Sequence, residues 1–126
     1  MADNDFSGLW HVTHTYPSFD DAGEEKTEHD MRATQQGDEM VLETQPDGGS
    51  YMLLRLKIEN RLATGSWHET TEVGGRYKGM TYSGAGQMLV SKDGNEMSGQ
   101  WAGVGVDRAA NEPKIYTGTW EMKRLQ

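Results

Sequence analysis

The sequence predicts an all-β protein, an eight-stranded antiparallel up-and-down barrel. Three observations carry that expectation. All four tryptophans sit in one four-residue phrase: Ser7-Gly8-Leu9-Trp10, Thr64-Gly65-Ser66-Trp67, Ser98-Gly99-Gln100-Trp101 and Thr117-Gly118-Thr119-Trp120. In a strand, residues two apart share a face, so each phrase sets a hole beside a large ring, a packing device for a tightly curved sheet. Turn signals recur at short intervals, with period-two alternation between them. The chain also holds 16 Gly and shows no sustained helical period; Gly disfavours helices by about 1 kcal/mol per site.

The elements follow in order. Residues 8–16 place Trp10, Val12, His14 and Tyr16 on one face. Residues 27–35 form the second strand, and Gly37-Asp38 turns the chain into a third over 39–45. After Pro46-Asp47-Gly48-Gly49, residues 50–58 alternate Met52, Leu54, Leu56 and Ile58 against Tyr51, Leu53, Arg55 and Lys57. Glu59-Asn60 leads into 61–71, and Gly74-Gly75 into a long sixth strand, 76–90, loosened by Gly79, Gly84 and Gly86. Asp93-Gly94-Asn95 and Asn111-Glu112-Pro113 precede the last two strands, 95–104 and 114–124. A meander of this kind hides its two edges by closing, which requires its first and last strands to pair. Two connections exceed hairpin length: Pro17 to Lys26, with Asp20, Asp21, Glu24 and Glu25, and Gly103 to Pro113, with Gly105, Asp107 and Arg108. Long loops in small domains are sites of function or of solvated surface.

Length and composition narrow the function classes. The 126 residues suit one domain, residues 1–126. Cysteine is absent, which removes disulfides and thiolate chemistry and agrees with a reducing, cytoplasmic setting. No secretory leader is visible at the N-terminus, and no apolar run reaches membrane-spanning length. A net charge of −8 repels phosphate backbones, so neither nucleic acid nor a membrane is expected as a partner. A small-molecule ligand and a second copy of the chain remain.

The opening Phe6-Ser7-Gly8-Leu9-Trp10 resembles the first-strand Gly-x-Trp of the calycins, the lipocalin, fatty-acid-binding and avidin group. That resemblance implies a Trp closing one end of the barrel under an Arg from the last strand, here Arg124. A longer stretch, residues 61–123, resembles an uncharacterised bacterial β-domain, common in actinobacteria, that follows helix-turn-helix modules in regulators. It runs through Ala63-Thr64-Gly65-Ser66-Trp67-His68-Glu69, Gly75-Arg76-Tyr77-Lys78-Gly79-Met80-Thr81-Tyr82-Ser83-Gly84, Met97-Ser98-Gly99-Gln100-Trp101 and Thr117-Gly118-Thr119-Trp120. The likeness implies a barrel that senses something. It supplies no catalytic residues, and no helix-turn-helix is present here.

Few side chains point to chemistry. His11 and His14 fall on opposite faces of one strand and cannot share a metal; His29 and His68 lack a partner at ligand spacing, so no metal and no cofactor is expected. Glu69 shares Trp67's face, and an inward carboxylate is costly unless it has a partner or a task. Tyr77, Lys78, Tyr82 and Gln87 lie on the Gly-rich strand, where Tyr and Gln tips suit a pocket or merely fill the barrel. The expected binding set is therefore Trp67, Trp101, Tyr82 and Met88 as contact surface, with Glu69, Gln87 and His14 as orienting groups. Three functions are weighed: binding or sensing of a small, partly apolar molecule in the barrel mouth, a filled barrel used for interaction or oligomerisation, and an isomerase or hydrolase using Glu69 as base.

Overall fold

The first and last strands pair. The computed structural model describes residues 5–17, 24–44, 51–70, 81–107 and 112–125. Its strands are β1 (Gly8–Pro17), β2 (Glu24–Gln36), β3 (Glu39–Thr44), β4 (Tyr51–Glu59), β5 (Leu62–Thr70), β6 (Thr81–Val90), β7 (Glu96–Asp107) and β8 (Glu112–Arg124). They run antiparallel in sequence order and close between β8 and β1. No helix occurs among the described residues.

Two boundaries differ from the sequence expectation. β2 starts at Glu24, so Glu24 and Glu25 belong to a strand rather than to a loop. The expected long connection from Gly103 to Pro113 is largely ladder: Val104, Gly105, Val106 and Asp107 pair with Ile115, Lys114, Pro113 and Glu112. Gly105 offers no side chain to oppose that pairing, and Pro113 sits near a strand start, where its missing N–H is tolerated. Tyr77, Lys78, Gly79, Asp20, Asp21 and Arg108 lie outside the described residues.

One end of the barrel is sealed. There the turns are tight: Gly37 at φ 63° opens the β2–β3 turn, and Asn60 and Arg61 hold positive φ between β4 and β5. Arg61 Nε donates to Val90 O at 2.9 Å, which ties that turn to the end of β6. Residues 5–7 cross the opening, with Phe6 buried as a plug. Trp10 Nε1 donates to Phe6 O at 2.8 Å, and the Arg124 guanidinium lies 4.9 Å from the Trp10 ring centroid. Arg124 also donates to Ser7 O at 3.0 Å and Asp5 O at 2.7 Å. The Arg-over-Trp closure expected from the opening motif is thus present. Below it Met31, Met40, Leu42, Leu54, Met88, Met97 and Met122 are fully buried. Methionine's unbranched thioether fills the irregular gaps of a small barrel without strain.

The glycines are placed for their neighbours' rings. A Cβ on Gly103 would stand 2.6 Å from Trp67 Cζ2, and one on Gly84 2.8 Å from Trp67 Cε2. Gly86 makes room for Trp120 in the same way, and Gly118 for Trp101. Of the glycines in the repeated phrase, Gly118 receives the ring of another strand, whereas Gly65 and Gly99 let the backbone of the neighbouring strand approach.

The β1–β8 seam is short. It covers only Trp10↔Arg124 to His14↔Trp120. Beyond it Thr119 N donates to Thr15 Oγ1 at 2.9 Å, and Trp101 Nε1 reaches past Gly118 to Thr15 O at 2.9 Å. Side chains therefore staple the seam where the ladder stops. On the other side of the same ribbon, β6 pairs with β7 no further than Gly103. The β7–β8 ribbon continues beyond both neighbours as a two-stranded arm.

Candidate functional site

The opposite end of the barrel is where the inner face becomes polar and partly exposed. β1, β3, β5 and β7 end there, and β2, β4, β6 and β8 begin there. Toward the sealed end the core residues, Met31, Met40, Leu42, Met88, Met97 and Met122 among them, are apolar and buried, but at this mouth the inward positions include His14, Tyr16, His29, Thr44, Trp67, Glu69, Tyr82, Trp101 and Tyr116. Strand parity puts them there: each lies an even number of residues from a core side chain of its own strand.

Glu69 stands between Met52 of β4 and Tyr82 of β6 in the paired register. Its carboxylate is mostly buried and makes no hydrogen bond or ion pair among the described residues. Loss of hydration, with no compensating charge, raises its pKa from the ordinary 4.5 to about 6. Trp67 is next to it on the same face. The Trp67 and Trp101 rings meet edge to face, centroids 5.2 Å apart at 81°. Trp101 is satisfied by Thr15 O, whereas Trp67 Nε1 is buried with no acceptor among the described residues.

His14 extends the aromatic wall. Its ring meets Trp101 at 86° and 6.3 Å and stacks on His29 at 6.2 Å and 19°. It is 8 % exposed, and its Nδ1 has no partner among the described residues. Burial, aided by the neighbouring His29, lowers its pKa to about 4, so it is neutral at pH 7. Thr44, also buried, is committed to the backbone, accepting from Met52 N at 3.1 Å.

Five of the seven expected binding residues come together here: His14, Trp67, Glu69, Tyr82 and Trp101. Met88 faces inward but lies in the sealed half, next to Val90, whose N–H bonds to the β4–β5 turn. It is core, not mouth. Gln87 corrects the expectation outright: it is exposed on the outer face and donates to Thr64 Oγ1 at 3.2 Å. An odd separation from Tyr82 along an unbulged strand puts the two on opposite faces. His29, Tyr16 and Tyr116 join the site without having been singled out. Tyr16 shares the visible alternation of Trp10 and His14; His29 becomes a neighbour of His14 only through the β1–β2 register.

The outward His11 engages in ion pairing instead, with Asp30 at 2.7 Å and Glu28 at 3.0 Å, which raise its pKa. Among the described residues no group of three or more His, Asp or Glu could hold a metal ion. No protein-family model matches the chain, and no curated protein sequence matches it.

Proposed function

We propose that this chain is a calycin-like barrel that binds a small, partly apolar molecule non-covalently in its mouth. The observation that carries the reading is the contrast between the two ends. One is sealed with apolar side chains, a Phe plug and an Arg–Trp cap. The other keeps buried polar atoms without partners among the described residues, His14 Nδ1 and Trp67 Nε1, and a carboxylate whose burial no described charge or hydrogen bond offsets. A buried donor without an acceptor costs about 1–3 kcal/mol. A ligand supplying the missing partners removes that cost and gains from the apolar walls, which is how binding sites combine apolar area with a few convergent polar groups. The likeness of residues 61–123 to a β-domain found beside helix-turn-helix modules supports a sensing role for such binding.

Native mass spectrometry of the protein taken gently from cell extract tests this. A co-purifying mass of small-molecule size, released on denaturation, is the expected result. A bare polypeptide mass, together with no response of the Trp67 indole N–H to a mixed fragment panel, refutes it.

A second reading rests on a different feature. Val104 and Ile115 face each other across the arm and are 55 % and 61 % exposed. An arm whose edges have no strand partner among the described residues, and which carries an apolar pair, is suited to pairing with another chain. Size-exclusion chromatography with light scattering, compared between the parent and Val104→Lys, separates this reading from the first. Catalysis by Glu69 is the weakest of the three, because no charge or hydrogen bond from a second titratable group among the described residues acts on its carboxyl.

A further inference from the structure

We infer that the molecule bound in this mouth is a small organic cation, an ammonium group carried on an apolar body that also bears an oxygen acceptor. The inference rests on the binding reading above and names its ligand class. Its warrant is the company Glu69 keeps. The strand neighbours of this inward carboxylate are Met52 and Tyr82, and it has no ion pair among the described residues. The aromatic planes of Trp67, Trp101 and His14 meet at near right angles beside it, with Tyr16 and Tyr116 on the same inner face.

Each ligand charge can be weighed against that lining. An anion would meet Glu69 and a chain of net charge −8, with no Arg or Lys paired to it at the rim among the described residues. A neutral apolar molecule would leave Glu69 desolvated and unpaired, which is the costly outcome. A cation gains twice, from the carboxylate and from the electron-rich faces of the indoles. The exposed Lys114, on the inner side of the arm, places its Nζ 5.6 Å from the Tyr116 ring centroid and is a cation that a charged ligand at this rim would also meet. The acceptor requirement comes from Trp67 Nε1, a buried donor left over.

Among the described residues, the other titratable or charged side chains on the inner face of the mouth are His14, His29, Tyr16, Tyr82, Tyr116 and, on the arm, Lys114. His14 is neutral above about pH 4, so it neither repels a cation nor competes for the carboxylate at neutral pH. Glu69, titrating near 6, should weaken cation binding about tenfold between pH 7.5 and pH 5 as it protonates. Any pH dependence that persists in Glu69→Gln then belongs to the histidines.

The test uses three probes with one body and three charges, benzylamine, benzyl alcohol and benzoate, titrated into the full chain while the indole N–H resonances are followed by NMR. Benzylamine should shift the Trp67 and Trp101 signals saturably, at least tenfold more tightly than benzyl alcohol, with benzoate inactive. Glu69→Gln should cost benzylamine tenfold or more, leave benzyl alcohol unchanged and preserve the dispersion of the indole signals. If benzyl alcohol or benzoate binds as well as the amine, or if Glu69→Gln leaves the amine's affinity intact, the cation inference is overturned and mouth binding stands. If no probe moves the mouth indoles, both fall.

Discussion

Replacing Glu69 with Gln should stabilise the protein at neutral pH. The native pKa of Glu69 is raised to about 6, against an ordinary 4.5, by burial alone. A raised carboxyl pKa means the folded state holds the proton more tightly than the unfolded chain. The ionised side chain therefore costs nothing below pH 4.5, costs progressively more between 4.5 and 6, and carries its full cost above 6. A shift of this size corresponds to about 2 kcal/mol at pH 7.5. Gln has nearly the same shape and no charge to desolvate, so Glu69→Gln should recover about that amount. With a urea slope of about 2 kcal/mol/M for a domain of this size, the midpoint should rise by about 1 M. The assay is urea unfolding of parent and variant from pH 4 to 8, followed by Trp fluorescence. His14 is present in both, so the difference between the profiles isolates Glu69: near zero at pH 4, rising through pH 5–6, flat above. A difference that is constant with pH, or a variant less stable than the parent at pH 7.5, would refute the argument that Glu69 sits ionised and uncompensated.

His14 carries the opposite sign. Its pKa is depressed to about 4, so its contribution is intact above pH 6.5 and is lost as pH falls toward 4, by about 3 kcal/mol; His14→Phe should remove that acid-side slope, read from the same urea profiles. Gly99→Val should lower the unfolding midpoint by at least about 1–3 kcal/mol, since even a bare Cβ there would stand 2.7 Å from Met88 Cα; an unchanged midpoint contradicts the packing. Arg124→Ala should cost about 2 kcal/mol through lost charge-assisted hydrogen bonds and the Trp10 contact, and should expose the amides of residues 5–7 to fast hydrogen exchange. Gly103→Ala should shift the near-ultraviolet circular dichroism of Trp67 while sparing Trp10, because the added methyl would meet the Trp67 ring at 2.6 Å.

Much of this molecule is legible along the chain. Alternation is local, so Trp10, Val12, His14 and Tyr16 could be assigned to one face of β1, and Glu69 to the face of Trp67, before any contact was known. Closure followed from edge avoidance in a meander, while the meeting of Arg124 and Trp10 was what the resemblance of the opening Gly-x-Trp implied. Even the outward direction of Gln87 is a parity statement, since an odd step from Tyr82 reverses the face. What alternation lacks is height. Met88 and Tyr82 share a face, yet one is sealed core and the other is mouth, because depth depends on strand stagger against neighbours distant in sequence. The same stagger puts His29 against His14 and decides that Gly103 and Gly84, not Gly65, hold the Trp67 ring. Local sequence determined which residues turn inward. Only the closed, staggered barrel decided which of them meet, and therefore that Glu69 stands in an aromatic mouth without a partner among the described residues.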